Sequence, residues 1–339
     1  MDAGHKRWLG RVELEVTQIG FGAAPLGNLY SALSEDEAHA TVQAAHHAGI
    51  RYFDTAPLYG HGWSEHRVGE ALRAVPRADY VISTKVGRTL HAAPPGSFDE
   101  GLFRPPMPFK PVFDYSYDGV MRSFEDSLQR LGTSHVEILL VHDVDVWTHG
   151  SDEGAQARLE EVMAGGYKAL VELRDQGVVK AIGAGLSQWE WCEKFAYAGD
   201  FDCFLLAGRY TLLEQEALDS FLPFCEERDI AIIIGGPYNT GILATGAVEG
   251  AYYNYAPAEP DVMARVAKIE QVCAAHGVKL ASAALQFPLL HPCVSSVIPG
   301  ARTPDEITRN IEIFQVEIPD GLWADLKAEG LLREDAPTP

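Results

Sequence analysis

Asp54, Tyr59, Lys85 and His142 each stand at, or just beyond, the end of a short apolar run. A carboxylate, a phenol, an amine and an imidazole brought together can pass a proton to or from a carbonyl or alcohol oxygen. A tyrosine hydroxyl titrates near ~10 in water, too high for ready exchange at neutral pH. An ammonium beside it favours the phenolate, so Lys85 is expected to lower that value. Asp54 would keep Lys85 charged and fixed, and His142 would orient the reacting oxygen by hydrogen bonding. The set holds no nucleophile, and no carboxylate–histidine spacing suits a metal. A hydride moved along with the proton must therefore belong to an organic cofactor. Singly, a lysine after a strand is mostly surface decoration and a lone histidine mostly structural. Four such residues at strand ends outweigh that bland reading.

Positioning them falls to a repeating chain pattern. Runs rich in Val, Ile, Leu and Phe at 17–22, 50–53, 80–84, 136–141, 179–184, 203–206, 230–234 and 294–298 read as eight strands. Ser34 with Glu35-Asp36-Glu37 starts a helix that Gly49 stops. Helical stretches at 123–131, 166–175 and 261–276 stop at Gly132, Gly177 and Gly277. This is the rhythm of βα units whose strands are buried on both faces. Eight units favour an α/β fold of the closed (β/α)8 TIM-barrel type over an open doubly wound sheet. An open sheet of that kind wants G-x-G-x-x-G after its first strand, and Gly20-Phe21-Gly22-Ala23-Ala24-Pro25 puts a proline at the third glycine. Barrel enzymes build their sites at the C-terminal strand ends, where the four residues stand. Apolar pairs around Gly10-Arg11 suggest an N-terminal β-hairpin closing the barrel floor. The stretch 87–117, after strand three, is rich in Pro and Phe and reads as a long loop, more often functional than idle at that length. One domain over 1–339 is expected.

The stretch Asp54-Thr55-Ala56-Pro57-Leu58-Tyr59-Gly60, with Ser64-Glu65 and Gly69 beyond it, resembles the signature of the aldo-keto reductase family. Lys85, His142, Ser127-Leu128-Gln129-Arg130-Leu131-Gly132 and Ile298-Pro299-Gly300-Ala301-Arg302 resemble further family motifs, in family order from about residue 16 to about 311. The resemblance implies that Asp54, Tyr59, Lys85 and His142 form the catalytic tetrad, with Tyr59 as general acid and base. It also implies a cofactor site drawn from Gly22, Ala23, Asp54, Ser187, Gln188, Gly235, Pro237, Asn239, Gly241, Pro299, Gly300, Arg302, Glu306 and Asn310. Within it, Ser187 and Gln188 fall at the nicotinamide carboxamide, and Pro299, Gly300, Arg302 and Asn310 at the adenosine end. Ala207 replaces a family glutamine, and Gly235-Gly236-Pro237 replaces a tyrosine that commonly stacks on the nicotinamide. Glu306 stands where many NADP-dependent members have arginine. A carboxylate there repels a phosphate and can accept bonds from a ribose diol, so NAD is preferred, while NADP stays open through Arg302. Leu26, Trp63, Asp143, Trp189 and Tyr238 are candidates for the substrate pocket; His61, His66 and His149 are expected at the surface. Within the family, Val141-His142-Asp143-Val144-Asp145, Gly235-Gly236-Pro237-Tyr238-Asn239 and Asp114-Tyr115-Ser116-Tyr117-Asp118-Gly119 most resemble the members that oxidise aldoses at C1, the D-threo-aldose or L-fucose dehydrogenases. Pyridoxal 4-dehydrogenases share much of this pattern. The nearest rival readings are a general NADPH-dependent aldehyde or ketone reductase and, from another class, a non-catalytic binding or regulatory barrel.

Bulk properties narrow the partners. A net charge of -21 opposes binding to nucleic acid or anionic membrane. The five cysteines include no C-x-x-C pair and fit no closed disulfide framework. No apolar run approaches the ~18 residues of a membrane span, and the N-terminus lacks a signal-like apolar core. A cytoplasmic monomer or small homo-oligomer acting on a small sugar or aldehyde, without a metal, is the expectation.

Overall fold

Two-residue alternation inside the short apolar runs decides the architecture, because each barrel strand buries both of its faces. The computed structural model describes residues 2–94 and 96–339. A hairpin of β1 (Lys6–Leu9) and β2 (Val12–Thr17) comes first. The barrel strands follow: β3 (Phe21–Gly22), β4 (Tyr52–Asp54), β5 (Val81–Val86), β8 (Ile138–His142), β9 (Ala181–Leu186), β10 (Cys203–Ala207), β11 (Ala231–Gly235) and β14 (Val294–Ile298). They form one parallel eight-stranded sheet in chain order. Parallel bridges Ile19↔Val297 and Gly22↔Gly300 bring its two edges together, with Gly20 N donating to Val297 O at 2.8 Å and Val297 N to Gln18 O at 2.9 Å. The molecule is a (β/α)8 barrel. The first strand is shorter than the run 17–22 suggested, since Thr17 still belongs to the hairpin.

Inward-facing side chains fill the barrel. Tyr52, Val81, Ile138, Leu140, Leu205 and Ile233 form one cluster, and Leu9, Leu14 and Val16 of the hairpin join it from below. The hairpin is thus a floor, as its apolar pairs indicated. Outward-facing residues such as Phe53, Ile82, Leu139, Ile182 and Phe204 pack on the surrounding helices. Those helices start where capping chemistry places them. Ser34 and Glu37 make a reciprocal capping box at Glu35–His47. Ser116 caps Tyr117–Leu131, which begins a turn and a half before the expected start. Among the described residues no helix is long and apolar enough to cross a membrane.

The stretch 87–117 departs from its reading as a plain loop. Its ends form an antiparallel hairpin, β6 (Arg88–Ala92) with β7 (Phe109–Phe113), in which Arg88 pairs with Phe113. The segment between is tied to the loop after β3: Tyr30 N donates to Leu102 O at 2.8 Å and Arg104 N to Asn28 O at 2.9 Å. A further two-residue hairpin, β12 (Tyr252–Tyr253) with β13 (Ala256–Pro257), follows β11.

Candidate active site

Tyr59 sits in a tight turn just past β4, and the residues around it are there to hold that turn. Gly60 and His61 take left-handed backbone conformations, with φ of 66° and 54°. Gly27 packs so close that a Cβ on it would lie 2.5 Å from Gly60 N and from the Tyr59 carbonyl carbon. Ser64 Oγ hydrogen-bonds Ala23 O and Thr55 Oγ1, both at 2.8 Å. Buried Glu65 accepts from Thr84 Oγ1 at 2.6 Å and from Arg130 Nε at 2.5 Å, and a Cβ on Gly69 would run into the Leu131 carbonyl. The residues around 54–69 and 127–132 therefore fasten the Tyr59 turn to β3, β5 and the helix Tyr117–Leu131.

Alternation along the strands brings the four candidate groups together. Tyr52 and Asp54, Ser83 and Lys85, and His142 all face inward at the C-terminal rim. Lys85, 1% exposed, donates to Asp54 Oδ2 at 2.8 Å, Asp54 Oδ1 at 3.0 Å, Thr55 O at 2.9 Å and Tyr59 Oη at 3.1 Å. Ser83 Oγ donates to Asp54 Oδ1 at 2.7 Å. Its own oxygen pairs with Tyr52 Oη at 2.9 Å. Gly185, facing the Lys85 stem 3.3 Å from where a Cβ would stand, leaves it room. The His142 ring meets Tyr59 edge-on, with centroids 5.8 Å apart.

Electrostatics correct one expectation. Tyr59 is not a phenol of lowered pKa in the closed-up rim: burial pushes it up to about 12, and Lys85 only partly offsets this, opposed by the charge on Asp54. Burial also disfavours the Lys85 ammonium, but Asp54 and Tyr59 together hold it charged, above the ordinary amine value. His142 is driven well below the usual imidazole range by burial, then by Arg88 and Lys85. It is a neutral hydrogen-bonding group at neutral pH.

A cleft of 540 Å³ opens over this rim. Tyr59 and Asp54 line one end; Gly235, Gly236, Pro237 and Tyr238 line its side, and Gly300, Arg302 and Glu306 the other end. That far end is the start of the helix Pro304–Phe314, capped by Thr303. A smaller recess, bounded by Ser187, Trp147 and Arg209, shares Ala207, Gly236, Thr240 and Tyr255 with the cleft.

The Aldo/keto reductase family model matches residues 18–329. The chain belongs to this family. It is therefore an oxidoreductase of the aldo-keto reductase type. Among curated relatives, the pyridoxal 4-dehydrogenase of Microbacterium luteolum is 43% identical, covering 98% of this chain and 99% of its own. The D-threo-aldose 1-dehydrogenase of a Pseudomonas species is 38% identical, covering 96% of each. A solved aldo-keto reductase from Bacillus halodurans superposes with a TM-score of 0.74 at 23% identity, over 97% of this chain and 96% of that one, which shows the shared fold.

Other residues of this aldo-keto reductase fall into three groups. Gly22, Gly235, Pro237, Gly241, Gly300, Arg302, Glu306 and Tyr238 line the cleft. Ala23, Pro299, Asn239 and Asn310 stand behind that lining: Ala23 N donates to Asp54 O, Gly22 N to Pro299 O, Asn239 Nδ2 to Gly208 O, and Tyr238 Oη to Asn310 Oδ1. Gln188 spends its amide oxygen on Val146 N at 2.8 Å and Trp147 N at 3.3 Å. Leu26 is fully buried, while Trp63 stacks under Arg67 at 4.7 Å and Trp189 packs on the helical core. His61 is buried, contrary to expectation, because the left-handed turn tucks its ring beneath the 87–117 segment, where Nδ1 meets Phe109 O at 2.7 Å. His66 is exposed and His149 half-buried against Phe113. Sequence reasoning missed Ser83, detectable as the inward residue two before Lys85, and Arg88, whose only signal is its place just past the end of β5. Among the described residues no cluster of three or more His, Cys, Asp or Glu side chains could hold a metal.

Proposed function

We propose that this enzyme oxidises the hydroxyl-bearing carbon of a cyclic hemiacetal, an aldose at C1 or pyridoxal in its ring-closed form, to a lactone, with NAD as hydride acceptor. Asp54, Tyr59, Lys85 and His142 are the catalytic groups. The observation that carries this is Lys85 Nζ 3.1 Å from Tyr59 Oη while anchored on Asp54. It places a fixed positive charge where a phenolate must form. In the reducing direction Tyr59 donates its proton to the carbonyl oxygen, and Lys85 balances the charge left behind. In the oxidising direction the same oxygen takes the hydroxyl proton. Neutral His142 donates one N–H to the reacting oxygen and orients it without protonating it.

The cleft fits a nicotinamide dinucleotide. Small residues at Ala207, Gly235 and Gly236 keep the side beside Tyr59 open, and buried Asn239 Oδ1 has no partner among the described residues. Bound there, the cofactor would supply the hydride acceptor. Ser187, the free amide nitrogen of Gln188, Asn239, Gly241, Gly300 and Asn310 are the groups we assign to holding it, with Gly22, Ala23, Pro237 and Pro299 shaping the walls. NAD is favoured over NADP for two reasons. The Glu306 carboxylate lies at the cleft end, bonded to Arg302 N at 2.7 Å. The Arg302 guanidinium is occupied by the carbonyls of Leu29, Ser31 and Ala32 at 2.7–3.1 Å. Leu26, Trp63, Asp143, Trp189 and Tyr238 stay as proposals for the substrate side.

The substrate class comes from chemistry shared by two relatives' names. An aldose and pyridoxal both carry a hydroxyl that can close on their own aldehyde, and removing a hydride from the resulting carbon gives a lactone. Initial rates with a panel of aldoses, pyridoxal and simple aldehydes, read by absorbance of reduced nicotinamide in both directions, test this. Faster oxidation of a ring-closing substrate with NAD than with NADP is expected. Activity confined to the reduction of simple aldehydes by NADPH would overturn it.

A further inference from the structure

Arg88 is a buried guanidinium that the reaction as described does not use. It opens β6, and the pairing of Arg88 with Phe113 at the hairpin base lays it over the Phe113 ring at 4.6 Å. Its Nη2 donates to Asp143 Oδ2 at 2.8 Å, while Nη1 is buried and has no hydrogen-bond partner among the described residues. The side chain is only 7% exposed. Asp143 follows His142 with a φ of 55°, its backbone N–H pinned to Gly185 O at 3.0 Å. That turn brings Asp143 Oδ1 to 3.5 Å from His142 Nε2. An unpaired donor on a desolvated cation is costly unless something meets it. Here the donor stands one carboxylate away from the imidazole that orients the reacting oxygen.

We propose that Arg88 is a specificity-determining residue: together with Asp143 it binds the substrate oxygen that lies next to the reacting hydroxyl. This rests on the hemiacetal reading above. Asp143 Oδ1 can accept from a hydroxyl, and Arg88 Nη1 can donate to the same oxygen, so the pair reads a sugar hydroxyl in both directions. An ionised ring hydroxyl, as in pyridoxal, has only acceptor capacity, and the Arg88 N–H with its positive charge suits that oxygen as well. A substrate lacking the oxygen leaves the guanidinium unmet, and a site built for a polar group rejects the analogue without it.

Matched substrates separate this role from a structural one. Steady-state rates are measured for an aldose against its 2-deoxy form, and for pyridoxal against 3-deoxypyridoxal, using wild type, Arg88→Met, Arg88→Lys and Asp143→Asn. Wild type should favour the oxygen-bearing member of the pair it turns over. In Arg88→Met the ratio of kcat/KM between the two should fall by about tenfold or more, mostly through KM. Arg88→Lys should recover part of it, and Asp143→Asn should lower the ratio independently if Arg88→Met does not fold. Equal losses on both members of a pair, with the ratio unchanged, would overturn the proposal while leaving the hemiacetal reading intact. Wild type that turns over neither pair would remove the hemiacetal reading, and this proposal with it.

Discussion

At the scale of residues, the site is a contest between burial and charge. Burial raises Tyr59 to about 12, and Lys85 is the group that pulls it back. Lys85→Met should therefore cut the oxidation rate by ~100-fold or more, and move the pH at which that rate levels off upward. Cofactor affinity, read by fluorescence quenching, should change little, because the ammonium matters most as the phenolate forms. The variant also leaves Asp54 buried without its partner, at a cost of roughly 3–5 kcal/mol in urea unfolding. A change confined to cofactor affinity would count against the assignment. That the four side chains would meet was legible in the sequence because alternation along β4, β5 and β8 sends Asp54, Lys85 and His142 inward. The direction of the Tyr59 shift was not. It depends on enclosure by the Phe103 and His142 rings, with centroids 6.1 and 5.8 Å away, and no local pattern around Tyr59 announces either.

At the scale of elements, the Tyr59 turn works only because backbone lies on backbone at Gly27 and Gly60. Gly27→Ala would force the β3 loop and the Tyr59 turn apart, so activity should fall at least about tenfold, since small misplacements of reacting groups are costly. The melting temperature should drop with it; wild-type activity in a folded Gly27→Ala protein would contradict this reading. The helix start at Ser34 and the glycine stops were readable, since caps are written locally, whereas the Ser116 cap, upstream of the expected start at 123, went unread. The hairpin of β6 and β7 was not. Pro111 sits inside β7, a residue that argues against a strand, and is tolerated only because the ribbon has just two strands and free edges. The burial of His61 was hidden in the same way, since its ring is held by Phe109 O and lies beside Phe103, residues more than forty positions along the chain.

At the scale of the whole molecule, the barrel separates holding from reacting. The floor is plugged by Leu9, Leu14 and Val16, while inward positions at the top are given over either to the reacting groups or to small residues, Gly185 beside the Lys85 stem and Ala207 and Gly235 along the cleft. The cleft over that rim is shaped by the loops after β3, β4, β11 and β14 with Leu205 and Ala207 of β10, and Tyr59 contributes one ring to it. Among the described residues its hydroxyl makes a single hydrogen bond, to Lys85. Removing that one oxygen should therefore spare the fold and the cofactor cleft and take away only proton transfer. The decisive measurement is the oxidation rate of Tyr59→Phe with the best substrate and NAD, taken beside its melting temperature and its quenching by cofactor. A rate lower by ~100-fold or more, with melting and quenching near wild type, is the predicted result. A folded Tyr59→Phe enzyme that turns over at the wild-type rate would contradict it.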